Sequence, residues 1–89
     1  MPLQRLDRAP YIHRRTRAIC FSMCVESRPV LCMVTPDAIT RLTGKPQPQN
    51  AQRLQAFAKF RTELETIARN KFEADAAEPI LITEADIPA

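Results

Sequence analysis

The segment at residues 17–34 reads RAICFSMCVESRPVLCMV and contains two apolar runs around a polar break. The first run extends from Arg17 to Val25, the second from Val30 to Val34, and Glu26–Pro29 separate them. Two strand-like runs around a short polar break predict a β-hairpin. If Val25 lies opposite Val30, one face becomes the predicted core face, with seven apolar side chains: Ile19, Phe21, Met23, Val25, Val30, Cys32 and Val34.

The opposite face of this hairpin is also largely apolar. Because side chains alternate between the two faces of a strand, five residues share it: Cys20, Ser22, Cys24, Leu31 and Met33. A sheet face in contact with water is ordinarily polar, so an apolar second face indicates that it is covered or that it forms an interface. These five residues are the predicted interaction face.

Two helices are predicted after the hairpin. Thr35 can cap a short helix, Pro36 suits its first position, and Gly44 suits its C-terminal end. A long helix is predicted from Asn50, as its cap, to about Glu73, because no proline or glycine interrupts it. At 100° per residue, its apolar side chains cover about half the circumference and form the predicted core-facing surface: Leu54, Phe57, Ala58, Phe60, Leu64, Ile67, Ala68 and Phe72.

The chain closes with the apolar segment Pro79 to Ile82, which predicts a short strand, and with Thr83 to Asp86, which predicts a capped helical turn. The element order predicts an α+β fold, in which the hairpin and the C-terminal strand form a small antiparallel sheet packed by one short and one long α-helix. The 89 residues are predicted to form a single domain, residues 1–89, of which residues 1–10 are flexible.

Charge is unevenly distributed along the chain, whose net charge is +3. Residues 1–18 contain five arginines and one acidic residue, whereas residues 73–89 contain five acidic residues and no basic one. Arg14, Arg15 and Arg17 are the predicted anion contacts, with Tyr11 and His13 available to stack on bases. No helix-turn-helix, zinc-finger or RNA-recognition pattern accompanies them, so a nucleic-acid-binding regulator is the alternative function rather than the leading one.

The cysteines do not have the spacing of a metal or redox site. Cys20 and Cys24 are about 13 Å apart along a strand, too far to share a disulfide or one zinc ion. Cys32 faces the other side of the hairpin, and His13 is the only histidine. No catalytic residue, metal or cofactor is therefore predicted, and the protein is predicted not to be an enzyme.

Arg61 lies near the centre of the long helix's apolar surface, where a charged group needs a partner. Glu65 follows four residues later on the same side, which predicts a structural Arg61–Glu65 ion pair. In the alternative interpretation, Arg61 binds an anion or a partner's carboxylate, and Lys71 lies beside it.

The longest apolar run, residues 30–34, is far shorter than the ~20 residues of a membrane span, so no membrane association is expected. No secretory signal is recognisable, and three cysteines are an odd number for a disulfide framework. A reducing cytoplasm is therefore the expected location.

Five features of the sequence occur together: Tyr11 before an arginine-rich stretch, a hairpin ending at Val34, Leu42 to Gly44, the helix pattern Phe-x3-Arg-x3-Glu-x-Ile-Ala-x2-Lys-Phe at residues 57–72, and the segment 80–87. In these features the chain resembles the family of small bacterial proteins named domain of unknown function 1488. The resemblance covers residues 11–87 and implies a small α+β fold and a bacterial, cytoplasmic origin. It implies no activity and no site residue.

The leading functional prediction is a non-enzymatic interaction or self-association module. It follows from the absence of a catalytic grouping and from the two apolar faces of the hairpin. The predicted partner is a second copy of the chain or an unidentified protein.

Overall fold

The computed structural model describes residues 3–88, which form a five-stranded sheet and two α-helices. The strands are β1 (Gln4–Arg5), β2 (Tyr11–Ile12), β3 (Ile19–Val25), β4 (Arg28–Val34) and β5 (Ile80–Ile82). The helices are α1 (Pro36–Thr43) and α2 (Asn50–Ala74), and a 3-10 turn spans Glu84–Asp86. The strand order is β1-β3-β4-β5, with β2 also paired to β3. This arrangement confirms the α+β class with one short and one long helix.

The hairpin of β3 and β4 turns more tightly than predicted. Val25 pairs with Arg28, so only Glu26 and Ser27 lie in the turn. Both adopt left-handed backbone, with φ of 51° and 68°, as two-residue turns of the I′ type require. Pro29 fits within β4 because β5 does not extend that far along it. The observed register differs from the predicted one by two residues, so every side chain lies on its predicted face.

The C-terminal strand β5 pairs with β4 in parallel, so the sheet is mixed and the prediction of an antiparallel C-terminal strand is wrong. Parallel neighbours need a crossover connection, and α1 and α2 together provide it. Thr35 N–H donates to the carbonyl of Ile82 at 3.0 Å, which fixes the start of α1 beside the end of β5. The short, all-apolar sequence of β5 carried no information about its direction.

The N-terminal segment forms the edge of the sheet next to β3. Gln4 pairs with Cys24 in β1, and Tyr11 pairs with Cys20 in β2, so the two short strands are parts of one edge interrupted by residues 6–10. Leu3 is only 1% exposed and belongs to the core. Residues 3–5 therefore pack against the rest of the fold, and the flexibility predicted for residues 1–10 stays a prediction; residues 1 and 2 lie outside the described residues.

The short helix α1 has the predicted ends. Thr35 Oγ1 accepts a hydrogen bond from Ala38 N–H at 3.2 Å, Pro36 is its first residue, and Gly44 caps its end with φ of 79°. The C-terminal turn also forms as predicted, because Thr83 N–H donates to Asp86 Oδ2 at 2.9 Å.

The long helix α2 differs from the prediction in three details. Its N-cap is Gln49, whose N–H donates to Gln52 Oε1 at 3.1 Å, and Asn50 is its first residue. A kink occurs at Phe60, with φ −107° and ψ 16°, although no proline or glycine indicates one. Ala58 is exposed because it lies at the margin of the apolar arc, whereas the other predicted core-facing residues are buried or half-buried.

Candidate interaction surfaces

The sheet face turned away from the helices carries a continuous row of side chains across four strands. Cross-strand pairing aligns its members in the order Tyr11, Cys20, Met33 and Leu81. Tyr11 and Leu81, at the two ends, are 54% and 46% exposed and are the exposed large hydrophobic side chains of residues 3–88. This row runs across what we call the outer face.

The paired positions of the outer face contain no charged residue. Ser22 pairs with Leu31, and Cys24 pairs with Gln4 on one side and Pro29 on the other. The outer face therefore consists of nine uncharged positions: Gln4, Tyr11, Cys20, Ser22, Cys24, Pro29, Leu31, Met33 and Leu81. In a chain that is 26% charged, an uncharged surface of this extent is unusual.

Four of the five residues predicted as an interaction face are half-buried on this surface: Ser22, Cys24, Leu31 and Met33. Cys20 lies on the same face but is 1% exposed, so it offers no contact area. Tyr11 lies opposite Cys20 on the edge strand, and the sequence analysis did not foresee that strand.

Tyr11 and Leu81 belong to the outer face although they are not among the residues predicted for it. For Leu81 the alternation of Ile80, Leu81 and Ile82 was an available signal, because a paired strand turns its middle residue outward. For Tyr11 no pattern was available, since its strand has only two residues.

The three cysteines are free thiols in different environments. Burial raises the pKa of the Cys20 thiol, and the hydrogen bond with the Tyr11 hydroxyl opposes that rise only in part. On the core face, burial and the charges of Glu65 and Glu78 raise the pKa of Cys32 to about 12. Because the thiolate is the reactive form, both thiols are expected to be inert in the folded protein.

A thiol titration tests this arrangement. The native protein is expected to react rapidly with one equivalent of an aromatic disulfide reagent, at the half-buried Cys24, and with three equivalents after denaturation. A Cys24→Ser variant should lose the rapid phase. Rapid reaction of a second thiol in that variant would show that the N-terminal edge does not protect Cys20.

A basic turn connects β2 to β3 at the opposite end of the hairpin from Glu26–Ser27. His13 Nδ1 accepts hydrogen bonds from the backbone N–H groups of Arg15 and Thr16, at 3.2 and 3.3 Å. The imidazole therefore stabilises the backbone of the turn. Arg14, Arg15 and Arg17 are exposed, and none of the three forms an ion pair with another residue of the range 3–88. Residues 11–15 line a concavity of about 570 Å³.

The basic turn extends to the start of α2. Arg17 has left-handed backbone, with φ of 63°, and its Nη1 donates to Asn50 Oδ1 at 3.2 Å. Arg53 Nη1 donates to the same oxygen at 3.0 Å. Two guanidinium groups therefore share one neutral acceptor. Arg53 had no signal in the sequence analysis, because its position next to the turn depends on the tertiary fold.

A buried carboxylate lies beneath the N-terminal edge. Glu65 is 3% exposed, and Arg5 reaches it with two hydrogen bonds of 2.7 Å, from Nε and Nη2. Arg61 Nε donates to Glu65 Oε2 at 3.2 Å, so the Arg61–Glu65 pair is present, and Arg5 is its unforeseen third member. Burial alone would raise the pKa of Glu65, but the hydrogen bonds from Arg5 and Arg61 outweigh it and hold the pKa below its ordinary value.

Arg61 packs against an aromatic ring beside Glu65. Its guanidinium carbon lies 5.5 Å from the centre of the Phe57 ring, and its Nη2 is buried without a hydrogen-bond partner. Lys71 does not join it, because Lys71 Nζ pairs with Asp86 Oδ2 at 2.9 Å. The two cations of the alternative anion site therefore have separate carboxylate partners.

Within residues 3–88, no cluster of three or more His, Cys, Asp or Glu side chains has the geometry to hold a metal ion. Over the same residues, none of the helices combines the length and the apolar character that crossing a bilayer requires.

The fold and these surfaces define a small α+β protein with a mixed five-stranded sheet, helices on one face and an uncharged, partly exposed face on the other. The model of the family described as Protein of unknown function (DUF1488) matches residues 6–82, and the chain belongs to this family. The resemblance noted in the sequence is thereby confirmed.

A solved structure has the same fold. It is the crystal structure of a protein of unknown function from the DUF1488 family of Shewanella loihica PV-4, which aligns with a TM-score of 0.67 and 18% sequence identity over 88% of this chain and 93% of that one. No curated protein matches the chain.

Proposed function

We propose that this protein is a non-enzymatic module that associates with a second copy of itself through the outer face. The observation that carries this proposal is the uncharged row from Tyr11 to Leu81, whose two ends are about half exposed. The three free thiols suit a reducing compartment, so we place this module in the bacterial cytoplasm.

Charge favours a second copy as the partner. The chain has a net charge of +3, and an uncharged face can approach its own copy without opposing like charges. A two-fold axis through the outer face would place each apolar row against its equivalent, as self-complementary dimer interfaces require.

The size of the outer face sets the expected strength of the dimer. Four strands at ~4.8 Å spacing and seven residues at ~3.4 Å give a face of roughly 15 × 20 Å. Two such faces bury less than the ~1,200 Å² at which stable complexes begin. We therefore expect a dimer that forms at high protein concentration and dissociates on dilution.

Light scattering after size-exclusion chromatography, over a range of loading concentrations, tests self-association. A Leu81→Glu variant should remain monomeric at concentrations where the wild type dimerises, because a charge would have to lose water at the interface. Met33→Glu should act in the same way from the centre of the row. Raising the salt concentration should leave the wild-type dimer intact.

The matched control is Ala58→Glu, which adds the same charge at an exposed position on α2, away from the outer face. It should dimerise like the wild type, and all three variants should keep the far-ultraviolet circular dichroism spectrum. A wild type that stays monomeric at every concentration, or a Leu81→Glu variant that still dimerises, would refute the proposal.

Nucleic-acid binding through Arg14, Arg15 and Arg17 is the second candidate function. Its support is that the three side chains are exposed and that no carboxylate in residues 3–88 pairs with them. This candidate predicts binding that weakens steeply with salt and that is lost in an Arg14→Ala/Arg15→Ala/Arg17→Ala variant.

A further inference from the structure

We propose that the basic turn and the start of α2 together bind single-stranded nucleic acid. In this site Arg14, Arg15, Arg17 and Arg53 hold backbone phosphates, and the ring of Tyr11 stacks on a base. The inference rests on the second candidate function and deepens it, because it adds Arg53 and Tyr11 and names a single strand as the ligand.

The positive charges of Arg17 and Arg53 have no carboxylate partner within residues 3–88. Both donate to Asn50 Oδ1, at 3.2 and 3.0 Å, so two like charges converge on a neutral oxygen. They do so at the positive end of the α2 dipole, where acidic residues are favoured, yet the first turn of α2 contains none. A phosphate bound between the two guanidinium groups would supply the missing negative charge.

The four arginines also have unused hydrogen-bond donors. A guanidinium carries five N–H groups, and Arg17 and Arg53 each direct one side-chain nitrogen to Asn50. The side chains of Arg14 and Arg15 donate to no acceptor within residues 3–88. Most donors of the cluster are therefore free to contact phosphate oxygens.

The two segments that form the cluster contain no opposing charge. Residues 8–25 and residues 38–62 lack aspartate and glutamate altogether, although the chain has ten acidic residues. The cluster therefore lies in an acid-free part of the sequence, and this segregation favours a polyanionic partner.

The position of Tyr11 favours a single strand over a duplex. Its ring is 54% exposed, and it lines the same concavity of about 570 Å³ as Arg14 and Arg15. In a duplex the faces of the bases are covered by their neighbours, whereas a single strand can place a base on an aromatic ring beside bound phosphates.

The test is fluorescence anisotropy with a labelled oligo-deoxythymidine, compared with a duplex of equal length. With four phosphate contacts and a slope of about −0.7 per contact, affinity for the single strand should fall about 50-fold from about 50 to about 200 mM salt. Arg53→Ala should weaken binding and make that slope shallower by about 0.7.

Arg28→Ala is the matched control, because it removes the same charge at the far end of the hairpin and should bind like the wild type. Tyr11→Leu should weaken binding at least about fivefold, and Tyr11→Phe, which keeps the ring, should not. Thermal melts of each variant confirm folding, and Arg14→Ala, at an exposed position, repeats the test if Arg53→Ala is unstable.

Three results would overturn the inference: equal affinity for the duplex, equal behaviour of Arg53→Ala and Arg28→Ala, or tighter binding to anionic phospholipid vesicles than to the oligonucleotide. Binding to the duplex alone would refute the single-strand site while leaving nucleic-acid binding in place, and no binding at low salt would refute both. Self-association is measured separately, because Leu81→Glu leaves the basic turn unchanged and should bind the oligonucleotide at least as tightly as the wild type.

Discussion

Replacement of Glu65 by glutamine is expected to lower the free energy of unfolding by about 3 kcal/mol, because it removes the buried charge that two arginines share and leaves the mostly buried Arg61 without a counter-charge. Glu65 is 3% exposed and accepts hydrogen bonds from Arg5 and Arg61, so a neutral amide would leave two guanidinium groups facing a carbonyl and an NH2 group. In a domain of this size, a loss of that order lowers Tm by more than about 10 °C. Urea or thermal unfolding measures it.

The pH dependence of this effect has a definite sign. The pKa of Glu65 in the folded protein lies below its ordinary value of 4.5, because the hydrogen bonds from Arg5 and Arg61 outweigh the opposing effect of burial. The stabilisation by the ionised Glu65 is therefore fully present at pH values above its ordinary pKa. It is lost as pH falls through the lower pKa of the folded protein. The difference in unfolding free energy between wild type and Glu65→Gln should shrink as the solution is acidified.

Glu63→Gln is the control for this prediction. Glu63 lies two residues earlier in α2, is exposed, and forms no ion pair with another residue of the range 3–88. Its replacement should change the unfolding free energy by less than about 0.5 kcal/mol at any pH. If Glu65→Gln and Glu63→Gln changed the unfolding free energy equally, the ion pairs of Glu65 would not stabilise the fold.

The sequence predicted those parts of the fold that depend on local chemistry. The cap at Thr35, the end of α1 at Gly44 and the turn at Thr83 follow from hydrogen bonds and backbone angles within a few residues. The two faces of the hairpin follow from the alternation of side chains. The predicted register was wrong by two residues, and because a shift of two residues leaves each side chain on the same face, the assignment of the faces was still correct.

The features that the sequence did not predict depend on contacts between distant segments. Strands β1 and β2 have two residues each, too few for any periodicity, and they exist because β3 offers an open edge. The parallel direction of β5 depends on the path of two helices. For the same reason Arg5 and Arg17 gave no local sign of their partners, Glu65 and Asn50.

The two proposed surfaces are physically distinct although Tyr11 belongs to both. The outer face is uncharged, so contacts there should be insensitive to salt, whereas the cluster around Arg17 and Arg53 should bind less tightly as salt increases. Since Tyr11 ends the apolar row next to the basic turn, a bound strand and a second copy would compete for its ring. An oligonucleotide in excess should therefore shift the dimer toward monomer.

Leu3→Ala is expected to lower the free energy of unfolding by about 3 kcal/mol, the usual range for truncating a fully buried leucine being about 2–5 kcal/mol. Leu3 is 1% exposed and packs in the main core, and its carbonyl accepts a hydrogen bond from Arg69 Nε at 2.8 Å. The substitution leaves that backbone contact in place and removes only the side chain from the core. Chemical denaturation of the two proteins measures the difference.

The stability of Leu3→Ala shows whether the N-terminal segment packs against the core or is flexible, as the sequence predicted. Asp7→Ala, at an exposed position between β1 and β2, should change stability by less than about 0.5 kcal/mol and serves as the control. An equally small effect for Leu3→Ala would mean that residues 3–5 do not pack in solution. Because Leu3 and Arg5 point to the same side of β1, docking of Leu3 also brings Arg5 to Glu65, so the two large effects should be coupled in a double mutant.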